Sequence, residues 1–303
     1  MINSTDGTFP LETNPATVQV PHTPNQSPQP DPDKPAWGLG SALFVWIASV
    51  FLIVLMPVLF LVPYAMSRGL STSSPDYVKA LAELALNDKT AVLLQVLALL
   101  PTHILTFALI WAVVTRFGKQ RFWPAIGWRS SGYVEVLFWG ALGVLLFGIG
   151  ALLAFLFGSA KPTQLEQIIN SSLAARYAIS ILAVGTAPFV EEFMYRGVLY
   201  APLQKLAGAP VAVCLVLALF TIIHVPQYWP NYGAIAAVAT LSIALTFVRA
   251  YTHRLLPCII IHLVFNGIQA AILLVEPYAQ RIAPSSEPVN PTIILWSLAN
   301  LLR

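Results

Sequence analysis

Apolar residues in this chain run in long blocks rather than alternating or recurring on one face. Starting at Leu39, blocks over 39–66, 90–115, 133–158, 177–200, 209–227, 232–251 and 256–275 each approach or exceed the length of one bilayer crossing. About 20 apolar residues suffice for a transmembrane helix. A last run, 291–302, is marginal in length and reads either as an eighth crossing or as an interfacial segment. The pattern predicts an all-α, polytopic transmembrane bundle of about seven to eight spans.

Polar residues set the boundaries. Residues 1–36 hold eight prolines among Gln, Asn, Thr and Ser, with no apolar block. Such a segment buries too little surface to offset its chain entropy, so a disordered, proline-rich tail is expected there. It lacks the basic start and apolar centre of a signal peptide. The expected division is a tail over 1–36 and a transmembrane domain over 37–303, with the chemistry in 177–275.

Composition agrees with the pattern. Only 10% of residues are charged, against about 25% in a typical soluble domain, so the outer surface does not face water. The net charge of +3 is mild and scattered; with no basic stripe carrying aromatics, nucleic acid is not an expected partner. Neither GxxxxGK[ST] nor GxGxxG occurs, which argues against a nucleotide. Cys214 and Cys258 sit in apolar runs outside any CxxC pair and read as small buried hydrophobes.

Charge between the spans suggests an orientation. Arg116, Lys119, Arg121 and Arg129 follow the second span, Arg196 and Lys205 the fourth, Arg249 and Arg254 the sixth. By the excess of Lys and Arg on cytoplasmic loops, these connections and the N-terminus are expected in the cytoplasm. Trp123, Trp128, Tyr228 and Trp229 suit the aromatic belts at the membrane surfaces.

A charge at the bilayer centre costs about 2.5–3.5 kcal/mol on the insertion scale. The fourth span nevertheless reads Ala-Pro-Phe-Val-Glu191-Glu192-Phe-Met-Tyr-Arg196. Glu192 and Arg196 are four apart and can pair on one helix face. Glu191 lies about 100° around the helix, free to point elsewhere. A buried ion network that only fixes packing would leave Glu191 unexplained. The fifth span carries Phe220 and His224, the seventh His262 and Asn266. One histidine on an apolar face is more often a packing residue, and His103 beside Pro101 is read that way, as packing or a bond to a neighbouring helix.

Depth brings the others together. Glu191 lies 16 residues before Ala207, and His224 lies 16 residues after Gly208. Ala-Gly-Ala-Pro at 207–210 is a stop-and-restart signal, so two antiparallel helices would set Glu191 and His224 at one height. His262 lies about 10 Å inside its helix start. The hairpin over 197–213 must then project from the membrane, and the site is expected to open toward the cytoplasm.

A carboxylate near two imidazoles supports two mechanisms. In one, His224 and His262 hold a divalent metal with Glu191, zinc by ligand type, which lowers the pKa of bound water to about 7. In the other no metal is needed: Glu191 and His224 hold the water, Glu191 acts as general base, and Asn266 with His262 stabilises the oxyanion. No GxSxG or HExxH competes.

The set Glu191-Glu192…Arg196, Phe220…His224 and His262…Asn266 resembles the EExxxR, FxxxH and HxxxN signature of the CPBP family of CAAX prenyl proteases and bacteriocin-processing enzymes, also called Abi or type II CAAX endopeptidases. Type, order and approximate separation all match, over about a third of the chain. The resemblance implies a membrane-embedded metalloendopeptidase. Glu191 would activate water and His224 and His262 would bind metal or water. Asn266 would support them as a polar group, and Glu192 would join the catalytic set or, with Arg196, hold it in place. It also implies a protein or peptide substrate, prenylated in the CAAX branch, taken from the bilayer, and a place in a bacterial cell membrane. Two rivals use the same residues differently: a non-catalytic immunity or scaffold protein, and a proton-coupled transporter. Against the transporter, the polar residues cluster in one half and no internal symmetry is visible.

Overall fold

The computed structural model describes residues 31–282. Every regular element among them is helical: α1 (Leu39–Ser67), α2 (Tyr77–Asn87), α3 (Lys89–Leu97), α4 (Leu99–Thr115), α5 (Phe122–Ala125), α6 (Tyr133–Phe157), α7 (Gln164–Ser171), α8 (Leu173–Gly185), α9 (Ala187–Glu192), a π-helical stretch (Phe193–Leu199), α10 (Tyr200–Tyr228), α11 (Tyr232–Thr252) and α12 (Leu256–Ile282).

Among the described residues, six helical stretches are long and apolar enough to cross a membrane. The fourth, Leu173–Tyr228, is 56 residues long. At about 1.5 Å per residue it far exceeds one crossing. It contains two of the expected spans, 177–200 and 209–227, and the chain turns at Gly208, whose φ of 82° and ψ of 163° leave the helical region. Residues 205–208 are exposed at this corner, as the stop signal there predicts. The run 291–302 lies outside the described residues. The bundle shows large apolar side chains outward, among them Phe44, Phe51, Ile104, Phe138, Ile181, Ile222 and Phe247. In water such a surface would be a liability; against acyl chains it is the expected one. The protein is a multi-pass membrane protein.

The interior is tight where glycine allows it. A Cβ on Gly143 would lie 2.9 Å from Ile261 O and from Val264 Cβ, and one on Gly233 would lie 2.7 Å from Ala154 Cα. Small residues thus let the backbones of α11 and α12 close on α6.

The two ends of the bundle differ. At one end Leu255 N donates to Gly127 O, and Arg254 reaches Ser130 O and Glu135. The connections after α4 and after α11 therefore lie together, as their shared basic character suggested. Residues 31–36, expected to be tail, join them. Arg249 pairs with Asp33 at 2.9 Å and donates to Pro32 O, and His253 also bonds Asp33. Proline content hid this clasp, because its partners lie more than 200 residues away. Arg196, expected among the basic connections, is instead fully buried; its charge is neutralised inside the bundle.

Candidate active site

The helix that carries the two glutamates is broken on both sides. Thr186 leaves helical geometry at φ −130°, and Pro188 follows in the first turn of α9. After Glu192 the backbone widens into the π stretch Phe193–Leu199. Such wide turns occur mostly at functional sites, and here the turn leaves Arg196 O to accept a hydrogen bond from Arg249 Nε at 3.2 Å.

Arg196 is the buried anchor. Its Nη1 pairs with Glu192 Oε1 at 2.9 Å, its Nη2 donates to Ser242 O and Oγ, and its Nε donates to Thr246 Oγ1. The guanidinium lies 4.9 Å from the Phe220 ring centre. The pairing read from the four-residue spacing is present, and each of the three guanidinium nitrogens donates to an oxygen. Ser242 and Thr246 were missed in the sequence, although two hydroxyls four apart in an apolar span were a usable signal.

Glu192 Oε1 also accepts from His262 Nδ1 at 2.8 Å. A carboxylate can only accept, so Nδ1 carries a proton, and in the neutral ring Nε2 keeps its lone pair. That Nε2 stands 3.8 Å from Glu191 Oε2. Glu192 and Arg196 do not reach the cavity described next; they set the ring of His262 from behind. Glu192, expected among the catalytic residues, is thus placed as a support.

Glu191 points the other way, as expected, into a cavity of roughly 350 Å³. His224, His262, Asn266, Tyr195, Phe220 and His103 also line it. His224 donates Nδ1–H to Phe220 O at 2.7 Å, and its ring stacks on that of Phe220 at 4.5 Å. In the neutral ring its Nε2 is an acceptor as well. Asn266 gives one amide hydrogen to Ala183 O at 2.9 Å and makes no bond to His262. Tyr195 accepts from Trp46 Nε1 at 3.1 Å, so its own hydroxyl hydrogen remains for another partner. Neither Tyr195 nor His103 was expected here. The tyrosine lies one turn after Glu191, which is a signal the motif residues overshadowed.

The cavity walls continue to Thr163, Glu166, Tyr228 and Asn231. These belong to the connections 158–172 and 228–231, at the end opposite the basic connections. A cytoplasmic N-terminus and a cytoplasmic opening were both expected. The N-terminal clasp lies at the basic end, whereas the cavity wall extends to the other end.

For a metal, the donor types are suitable, but the arrangement is not. Among the described residues no three His, Cys, Asp or Glu side chains stand close enough together to hold an ion. The expected set of Glu191, His224 and His262 supplies one close pair only.

The two glutamates, the buried arginine and the two histidines all fall within one segment that a family model matches. Residues 173–268 match the family model of type II CAAX prenyl endopeptidase Rce1-like proteins. That segment is similar to the members of this family. The match covers about a third of the chain and includes every residue of the three motifs, in line with the CPBP resemblance. No curated protein and no solved structure matches the chain. The family is one of membrane proteases, which makes a peptide the expected substrate class and the bilayer its setting.

Proposed function

We propose that the protein is an intramembrane endopeptidase that hydrolyses peptide bonds of membrane-associated or lipidated, CAAX-type substrates with a water activated by Glu191. The observation that carries this reading is the 3.8 Å gap between Glu191 Oε2 and the lone pair of His262 Nε2. It is too long for a direct hydrogen bond and fits a bridging water. A water held between two acceptors points both hydrogens at protein and leaves its own lone pair for attack. Glu192 contributes by keeping the proton of His262 on Nδ1.

The reaction then needs no further reagent. The water oxygen bonds to the peptide carbonyl carbon as its proton passes to Glu191. The C–N bond breaks, and Glu191 delivers that proton to the departing amine. The oxyanion formed in between requires donors. In this tautomer His262 has none to give, contrary to the role expected for it. The Tyr195 hydroxyl and the second amide hydrogen of Asn266 are the donors we assign. His224 presents an acceptor nitrogen to the same space and lines the peptide's path. Zinc would require His224 to move onto the Glu191–His262 pair, so we route no step through a metal.

Cleavage of a farnesylated, fluorogenic peptide by the purified protein tests the reading. Loss of cleavage in Glu191→Gln, with insertion and folding intact, is expected. Undiminished cleavage in that variant refutes it, and absence of cleavage by the unaltered protein on all lipidated peptides favours the scaffold role.

A further inference from the structure

His103 comes from α4, outside the matched segment, and the reaction above does not use it. Its Nδ1 lies 2.7 Å from Thr186 Oγ1. The Thr186 hydroxyl gives its own hydrogen to Leu182 O at 3.3 Å. With the hydroxyl hydrogen on Leu182 O, the hydroxyl accepts from the ring and the ring proton sits on Nδ1. The other nitrogen, Nε2, is left with a lone pair and has no partner among the described residues. His103 is half-buried and lines the cavity, and the Glu191 carboxylate is within electrostatic reach of its ring.

An extended peptide entering this space brings backbone N–H groups out of water. Each one left unpaired in an apolar surround costs several kcal/mol. Much of the wall around His103 is apolar, with Ile53, Leu99, Val190 and Met194 among its members. A fixed acceptor here meets that need, and the Leu182–Thr186–His103 chain fixes it. The break in helical geometry at Thr186 frees this position to serve α4 rather than continue its own helix.

We propose that His103 is a substrate-binding residue whose Nε2 accepts a hydrogen bond from a backbone N–H of the peptide lying beside Glu191. The proposal names a subsite within the peptidase reading and rests on it. One alternative is that the ring only ties α4 to the α8–α9 break. A tie lowers stability and affects every peptide alike; an acceptor is blind to a peptide whose N–H has been removed.

The test measures binding, not turnover, so that it stands apart from the chemistry. A fluorescein-labelled, farnesylated peptide is titrated onto the Glu191→Gln protein in nanodiscs. A series of analogues follows, each replacing one amide near the scissile bond by an ester. One analogue should bind about 3- to 10-fold more weakly, the worth of one hydrogen bond. That penalty should vanish in Glu191→Gln/His103→Phe and persist in Glu191→Gln/His103→Gln, which keeps an acceptor. Thr186→Ala, which frees the ring to change tautomer, should also lose it, and serves if His103→Phe does not fold. Equal ester penalties in all backgrounds overturn the proposal. If the ester coupling appears while the unaltered protein leaves the same peptide uncut, His103 binds peptide and the hydrolytic role of Glu191 falls instead.

Discussion

His262 Nδ1 and Arg196 Nη1 converge on one oxygen, Glu192 Oε1, at 2.8 and 2.9 Å. A single buried carboxylate therefore neutralises the arginine and fixes the histidine tautomer. Glu192→Gln keeps the shape and removes the charge. Arg196 is then an unpaired ion in the bundle interior, and unfolding free energy should fall by about 3–5 kcal/mol. Denaturant titration in mild detergent measures it. No change would mean that Ser242 and Thr246 alone satisfy the guanidinium.

Glu191 carries no comparable structural duty, because its carboxylate faces the cavity. Glu191→Gln should unfold at the same denaturant concentration as the unaltered protein, yet lose about 10²- to 10⁴-fold in turnover, the usual worth of a positioned general base. A variant lost to aggregation would show that the residue is structural.

Glu191 and His262 supply two donors, one short of the three protein ligands of a catalytic zinc site. Prolonged dialysis against a strong chelator should leave kcat/KM within twofold. Stoichiometric zinc whose removal abolishes cleavage, and whose return restores it, would overturn the metal-free route.

The cavity wall extends to the connections 158–172 and 228–231, and substrate is expected to enter from that face. With Cys214 replaced by alanine, single cysteines at the exposed positions Lys119 and Lys161 should react with an impermeant thiol reagent from opposite faces of sealed vesicles. Cleavage should require peptide on the face where position 161 reacts. Cleavage from the face of position 119 would mean the cavity is entered past the basic connections.

Gly233 sits where the backbones of α6 and α11 touch. Gly233→Ala forces them apart, and the expected loss is about 1–3 kcal/mol. Its yield and melting temperature should drop while Gly148→Ala, at a position with open space, leaves both unchanged.

What the sequence disclosed follows from one-dimensional physics. Crossing lengths come from apolar runs, and the Glu192–Arg196 pair and the outward turn of Glu191 come from helix period. Both survive any rearrangement of neighbours. What it hid depends on how helices rotate against each other. Ser242 and Thr246 matter only because α11 turns them toward Arg196. His103 reads as packing or a bond to a neighbouring helix, and the bond to Thr186 is present, but its place on the cavity wall is not legible. The π stretch has no local marker in Phe-Met-Tyr-Arg-Gly-Val-Leu, and its spare carbonyl becomes visible only once Arg249 is seen to fill it. Asp33 could not be told from its proline-rich surroundings without its partners on α11 and just beyond.

The corner at Gly208 parts the site's chemistry between two lengths of polypeptide. Everything up to residue 207 carries Glu191 and the Glu192–Arg196 pair, and everything beyond carries both motif imidazoles. Neither length alone can assemble the pocket. Since the backbone there is solvent-accessible and its neighbours are unburied, a nick at this point removes few contacts. Two fragments made separately and inserted into one membrane should therefore find each other and restore turnover, each silent by itself.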